Sequence, residues 1–205
     1  MKMKEYTTVF VVDDDAAVRK SLVRLLKSAD YIAESFASAD EFLECWKKNP
    51  VPGCVLLDIQ MPGLDGLQLQ DKLQNSTDGI PIIFITGHGD IPSSVKAMKA
   101  GAVDFFPKPF NDEDLLQAIR EAIHRDHQAR NDRAGRTAVA ERFSTLTPRE
   151  REVLELVVRG MLNKQIAAAL GASEKTIKIH RGRVMEKMRV WSVADLVRAA
   201  DKIGI

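Results

Sequence analysis

The 205-residue chain is 45% hydrophobic and 29% charged, with a net charge of +1. That profile fits a soluble globular protein with room for one large domain or two small ones, and no apolar run approaches the ~20 residues of a membrane-spanning helix. Residues 1–110 carry 12 Lys/Arg against 15 Asp/Glu, whereas 146–205 carry 12 against 7, so an acidic front and a basic back predict two domains with different partners. Cys45 and Cys54 have neither metal-binding spacing nor a neighbouring histidine, and read as reduced core residues of a cytosolic protein.

Short apolar runs stand at 8–12 (TVFVV), 32–36 (IAESF), 54–58 (CVLLD), 80–86 (IPIIFIT) and 103–107 (VDFFP). Stretches of helical spacing lie between them, marked by Val18, Leu22, Leu25 and Leu26, by Phe42, Leu43 and Trp46, by Leu67, Leu69 and Leu73, and by Val95, Met98 and Lys99. Leu115, Leu116, Ile119 and Ile123 open a fifth. Five strand–helix alternations predict βαβ crossovers and a parallel sheet covered on both faces. Residues 1–124 therefore read as a five-stranded doubly wound α/β domain. Residues 125–143 lose apolar content but keep helix formers; they read as a linker that extends the last helix, with a break expected at Gly135. Residues 144–205 read as all-α. Thr147, Pro148 and Glu150 make a capping box; Gly160 ends that helix. A short helix over about 163–170, a stop at Gly171 and a longer helix over about 174–189, capped by Ser173, form a helix-turn-helix. Ser192 caps a fourth helix.

Ligands of doubly wound sheets sit at the carboxyl ends of the strands. Asp13 and Asp14 follow the first strand, Asp58 and Thr86 end the third and fourth, and Lys108 follows the fifth. Three acids in a row, Asp13 to Asp15, could be no more than a solvated strand-to-helix turn, with Asp15 or Asp14 capping the helix. Their shared edge with Asp58, Thr86 and Lys108 argues for chemistry. Three carboxylates brought together repel and raise one another's pKa. A hard divalent cation such as Mg²⁺ relieves that repulsion while keeping sites for a phosphate. A carboxylate beside such a cation and a lysine is a nucleophile toward phosphorus.

The segments VVDDD, VLLDIQMPGLDG, FITGHGD and AMKAGAVDFFPKPF resemble, in order, the receiver domain of two-component response regulators. The resemblance implies that Asp58 is the phosphoacceptor and that Asp13, Asp14, Asp58 and the carbonyl of Gln60 form the site for Mg²⁺ (or Mn²⁺), with Asp14 a direct ligand. It implies that Thr86 and Lys108 contact the phosphoryl oxygens, that Lys108–Pro109 is cis, and that Phe105 is the switch aromatic. Asp65 reads as a helix N-cap beside the Asp58 turn. His88 reads as a loop residue, because receiver chemistry requires no base there.

In the back half, Ile177, Val184 and Met188 should face the core, while Lys175, Lys178, Arg181, Arg183 and, further along, Lys187 project outward toward guanine edges or phosphates. Asn163 and Lys164 open the preceding helix and can hold a phosphate. The plainer alternative is a basic, solvated helix. The motifs TPREREVL, NKQIA and KTIKIHR resemble the LuxR/GerE four-helix DNA-binding domain. Base contacts would then fall to Lys178, Ile179 and Gly182 within a face that includes Thr176. Gly182 departs from the usual larger side chain and costs ~1 kcal/mol of helix propensity. His180 reads as a helix–helix or phosphate contact. Both halves in this order resemble the FixJ subfamily. That implies a transcription factor, not an enzyme, phosphorylated on Asp58 by a sensor histidine kinase, dimerising through residues 91–124, binding double-stranded promoter DNA and working with RNA polymerase. Two rivals are a haloacid-dehalogenase-like phosphatase, which would need its nucleophile in an Asp-x-Asp pair after strand one, and a DNA-binding protein with a degenerate receiver.

Overall fold

A computed structural model describes residues 7–74, 79–87 and 91–205, and divides the chain into two units, Met1–Ala129 and Arg130–Ile205.

The first unit alternates β1 (Thr8–Val12), α1 (Ala16–Ser28), β2 (Ile32–Phe36), α2 (Ala39–Lys48), β3 (Gly53–Leu57), α3 (Gly66–Gln74), β4 (Ile82–Thr86), α4 (Ile91–Lys99) and β5 (Asp104–Pro107), then enters α5 (Asp112–Ser144). All strands pair in parallel, in the order β2-β1-β3-β4-β5. Every residue of β1, β3 and β4 is buried, as a sheet covered on both faces requires. The period of two divides them. Phe10, Val12, Val55, Leu57, Ile82 and Phe84 pack under Phe42, Trp46, Leu69 and Leu73 of α2 and α3. Val9, Val11, Cys54, Leu56, Ile83 and Ile85 pack under Leu22, Leu26, Leu115 and Ile119 of α1 and α5. Burial pushes the Cys54 thiol up, so it behaves as a core hydrophobe. Cys45 is also free.

The fourth helix differs from its sequence pattern. Val95 and Met98 are each 44% exposed and Ile91 79%, so its apolar stripe faces outward and only Ala97 of α4 is buried. Beneath it, Gln70 of α3 donates from Nε2 to the carbonyls of Ala97 and Ala100.

Gly135 does not break α5, which is helical from 112 to 144. An interior glycine costs only ~1 kcal/mol, and Val139 and Phe143 further along the helix join the core of the second unit. The expected linker is thus accounted for on both sides. Asp126 accepts the amide of Gly53 in the first unit, His127 lies 3.4 Å from the Thr7 hydroxyl, and the units divide between 129 and 130 rather than at 124.

The second unit adds α6 (Pro148–Val158), α7 (Asn163–Leu170), α8 (Glu174–Met188) and α9 (Val193–Asp201). Their core joins Val153, Leu154, Ile166, Ile177, Val184, Met188 and Leu196. The turn between α7 and α8 needs Gly171, whose φ of 60° is left-handed. Thr147 and Glu150 complete the capping box, and Glu150 has a second use. Its carboxylate, in a residue only 2% exposed, takes the Lys187 ammonium at 2.6 Å, while the same ammonium reaches the Thr145 carbonyl at 3.2 Å. Lys187 therefore ties the end of α8 to the start of α6, and is not free to serve as the expected DNA contact.

The Lys187 hydrogen bond, ahead of the cost of burial, holds Glu150 below its ordinary value of 4.5. A depressed acid stabilises the fold above its unfolded pKa and loses that contribution as pH falls through the folded value. Lys187→Met should cost the second unit about 1–2 kcal/mol at neutral pH. The gap from wild type should close in acid well below 4.5. Denaturant unfolding of the full chain at both pH values measures this; equal loss at both would show that the lysine acts through packing alone.

Candidate functional site

The carboxyl edge of the sheet collects the predicted residues because strand ends in register place them there. Val12 pairs with Leu57 and Thr86 with Pro107, so the residues that follow β1, β3 and β5, together with the last residue of β4, crowd one rim. Asp13, Asp58 and Thr86 are 2%, 7% and 1% exposed, while Asp14 is exposed.

The two buried acids are held differently. Asp13 is engaged through both oxygens: Oδ1 accepts the Asp15 amide at 2.8 Å and Oδ2 accepts Lys108 Nζ at 2.7 Å. Its carbonyl accepts Arg19 Nη1 at 2.6 Å. Asp58 is fixed through its backbone, with its amide donating to the Val12 carbonyl at 2.9 Å. Its Oδ1 is buried without a hydrogen-bond partner, and Lys108 Nζ stands 3.5 Å away. Burial, more than anything else, raises the Asp58 pKa. Lys108 opposes the shift, and the Asp13 and Asp14 charges add to it. One ammonium thus serves two buried carboxylates with a third nearby, which leaves negative charge in excess.

The loop after β3 keeps this geometry. A Cβ at Gly66 would lie 2.2 Å from the Asp58 carbonyl oxygen, so only glycine lets α3 begin against that turn. Asp65 caps the helix, accepting the Gln68 amide at 2.7 Å while Gln68 Oε1 accepts the Asp65 amide at 3.1 Å. Asp15 caps α1 through the amides of Ala17 and Val18, so the third acid of the triplet is local structure. Lys108–Pro109 is cis, and the Lys108 amide donates to the Thr86 carbonyl at 2.8 Å. Phe105 is half-buried, its ring centroid 6.5 Å from that of Phe84.

Among the described residues no three His, Cys, Asp or Glu side chains are grouped to hold a metal unaided. Asp13, with one hydrogen bond already on each oxygen, stands beside Asp14 and Asp58, whose side-chain oxygens are the least engaged of the three. His88 lies outside the described residues. Sequence reasoning missed Arg19. The available signal was a cation in the first turn of α1, where the helix dipole disfavours one, four residues after the capping acid.

In the second unit α8 turns Ile177, Val184 and Met188 inward. Lys175, Thr176, Lys178, Ile179, Gly182 and Arg183 are exposed, as is Lys164 at the start of α7. Arg181 instead donates to Asn163 Oδ1 at 3.0 Å, which couples α8 to the first turn of α7. Thr176 is partly committed too, since its amide donates to the Ser173 cap and its hydroxyl lies 2.9 Å from that of Ser173. His180 is half-buried, with its Nδ1 enclosed.

Comparison with known proteins agrees with both halves. Residues 9–120 match the response regulator receiver domain, and residues 144–200 match the bacterial regulatory proteins of the luxR family. Nodulation protein W of Bradyrhizobium diazoefficiens is 48% identical over 96% of this chain and 86% of its own. The transcriptional regulatory protein FixJ of the same species is 42% identical over 96% of both. Among solved structures, the response regulator StyR aligns with a TM-score of 0.84 at 48% identity, covering 96% of this chain and 99% of that one. Full-length FixJ from B. japonicum aligns at 0.57 and 42% identity, covering 98% of each. The chain belongs to the FixJ-like response regulators, which join a receiver domain to a LuxR-family DNA-binding domain.

Proposed function

We propose that Asp58 is the phosphoacceptor of a two-component transcription factor. The observation that carries this reading is its buried Oδ1, which accepts no hydrogen bond and holds only the 3.5 Å ion pair with Lys108. A sensor histidine kinase supplies the phosphoryl group from a phosphohistidine. An Asp58 oxygen attacks phosphorus, the O–P bond forms, the N–P bond breaks, and the imidazole nitrogen leaves with the electron pair and is protonated. Asp13 is a poor nucleophile by comparison, since both of its oxygens are occupied; this disfavours a phosphatase with its nucleophile after strand one. The reaction is on the protein itself, so we read the chain as a regulator and not an enzyme.

Receiver domains bind Mg²⁺ at their acidic site, and the residues here fit one, because an orphaned carboxylate oxygen and excess negative charge suit a hard cation. Asp14, Asp58 and the Gln60 carbonyl would hold Mg²⁺ or Mn²⁺, with Asp13 supporting them through Lys108. When bound, the ion offsets charge on the transferring phosphoryl group. Lys108 then exchanges part of its pairing with the acids for a phosphoryl oxygen, and the Thr86 hydroxyl donates to another.

The phosphoryl group, about −2 in place of the carboxylate's −1, draws Thr86 inward, and Phe105 follows. The outward apolar stripe of α4, made of Ile91, Val95 and Met98, supports dimerisation through α4, β5 and α5. The dimer presents two α8 helices to half-sites of double-stranded promoter DNA about one helical turn apart. Lys178, Ile179 and Gly182 face base edges. Lys164, Lys175, Thr176 and Arg183 face the backbone, and Asn163 and Arg181 act as a hydrogen-bonded pair. RNA polymerase, in the cytoplasm, is the final partner.

Asp58→Asn should abolish uptake of label from acetyl phosphate in the presence of Mg²⁺, while wild type accepts it; persistent labelling of the variant would sink the assignment. The same variant carries a stability signature. A folded acid with a raised pKa loses stability as pH climbs from its unfolded value of 3.8 through the folded one. Asp58→Asn should therefore melt above wild type at neutral pH, with the difference shrinking toward pH 3.8. Calorimetry of both full-length chains across that range decides it, and a variant less stable at neutral pH contradicts the strained-acid account.

A further inference from the structure

Arg19 stands in the first turn of α1, where the positive end of the helix dipole disfavours a cation. Three carboxylates, those of Asp13, Asp14 and Asp15, lie four to six positions before it. Among the described residues its guanidinium pairs with none of them. Its one described side-chain hydrogen bond goes to backbone instead, Nη1 donating to the Asp13 carbonyl at 2.6 Å. A guanidinium that bypasses neighbouring acids for a peptide oxygen is placed to fix the chain rather than to balance charge.

The turn from β1 to α1 holds three peptide units between Val12 and Asp15. The 12–13 unit is fixed at both ends, since the Val12 carbonyl accepts the Asp58 amide at 2.9 Å and the Asp13 amide donates to the Phe36 carbonyl at 3.3 Å. The 14–15 unit is fixed by the Asp15 amide on Asp13 Oδ1 at 2.8 Å. Between them, the 13–14 unit has Arg19 as its sole partner among the described residues, because the Asp14 amide donates to none of them. A peptide group is planar and turns as one plate about the Cα atoms that flank it. Fixing the Asp13 carbonyl fixes that plate, and with it the direction in which the Asp14 side chain leaves the backbone. Without the guanidinium no hydrogen bond opposes its turning.

We infer that Arg19 is a positioning residue for the acidic site: by holding the 13–14 peptide it aims the Asp14 carboxylate at the place where Asp14 and Asp58 share a divalent cation. This rests on reading those two acids as cation ligands, and deepens that reading by adding a residue that touches neither the ion nor the phosphoryl group. The sign of its effect separates position from charge. A guanidinium near a Mg²⁺ site repels the ion, so removing one that acted by charge alone would tighten binding. Removing one that aims a ligand weakens binding, by the roughly tenfold to hundredfold typical of groups that orient a metal's ligands.

The test uses the full-length chain without a phosphodonor and follows its melting temperature as Mg²⁺ is added, since an ion that binds the folded form alone raises it. Arg19→Met keeps the aliphatic stem and loses the donors; Arg19→Lys keeps the charge and a single ammonium. Arg19→Met should melt close to wild type without Mg²⁺ and need roughly ten to a hundred times more Mg²⁺ for the same rise, with Arg19→Lys between the two. In labelling by acetyl phosphate, Arg19→Met should raise the half-saturating Mg²⁺ concentration by the same factor, while its rate at saturating Mg²⁺ approaches that of wild type. The inference is overturned if Arg19→Met binds Mg²⁺ as well as wild type or better. It is equally overturned if that variant loses rate at saturating Mg²⁺ with the half-saturating concentration unchanged, or melts lower without Mg²⁺ yet keeps the wild-type response to the ion. If wild type itself neither responds to Mg²⁺ nor accepts label, the reading of Asp58 and its cation site fails instead.

Discussion

One ammonium group between two buried carboxylates sets the terms for the receiver. Lys108 Nζ is 2.7 Å from Asp13 and 3.5 Å from Asp58, and the unequal distances divide the labour. Asp13 has its charge matched and both oxygens occupied, so it serves as a fixed anchor. Asp58 keeps an enclosed oxygen without a hydrogen bond. A buried carboxylate oxygen without a hydrogen bond is costly, and the backbone around it is fixed: the Asp58 amide on Val12, the Lys108 amide on Thr86, and α3 started hard against the Asp58 carbonyl by Gly66. The strain is released by whatever supplies positive charge or accepts the oxygen's electrons.

The same economy extends to α4. Only Ala97 of that helix is buried, and Gln70 grips its C-terminal end by two carbonyls. A helix with so little burial is free to respond to its surroundings at small cost. The inward faces of α1 and α5, by contrast, are locked by Leu22, Leu26, Leu115 and Ile119.

Much of this was legible in the sequence. Asp13, Asp58, Thr86 and Lys108 could be gathered because a parallel sheet sends all its strand ends to one edge, so order along the chain is enough. The capping box at Thr147 and the inward face of α8 were legible for the same reason, since helical periodicity is local. What escaped was decided by partners distant in sequence. The α4 stripe looked like a core face, but period alone does not say which side a helix turns inward. Lys187 looked like a DNA contact until Glu150, 37 residues earlier, claimed it. Gly135 looked like a break, yet Val139 and Phe143 carry the helix through it into the second core. Asp126 gave no signal in a polar stretch; its role is set by the Gly53 amide, 73 residues away.

The glycines show how a functional position can be separated from a structural one without knowledge of the ligand. Gly66 is required because a Cβ would strike the Asp58 carbonyl at 2.2 Å. Gly171 is required because its φ of 60° turns the chain between α7 and α8. Each costs conformational entropy and recovers it in a contact or turn that no other residue makes. Gly182 incurs the same entropy cost and recovers nothing within the molecule, since its surroundings are open and its backbone ordinary. A cost unmatched inside the fold points to a return outside it.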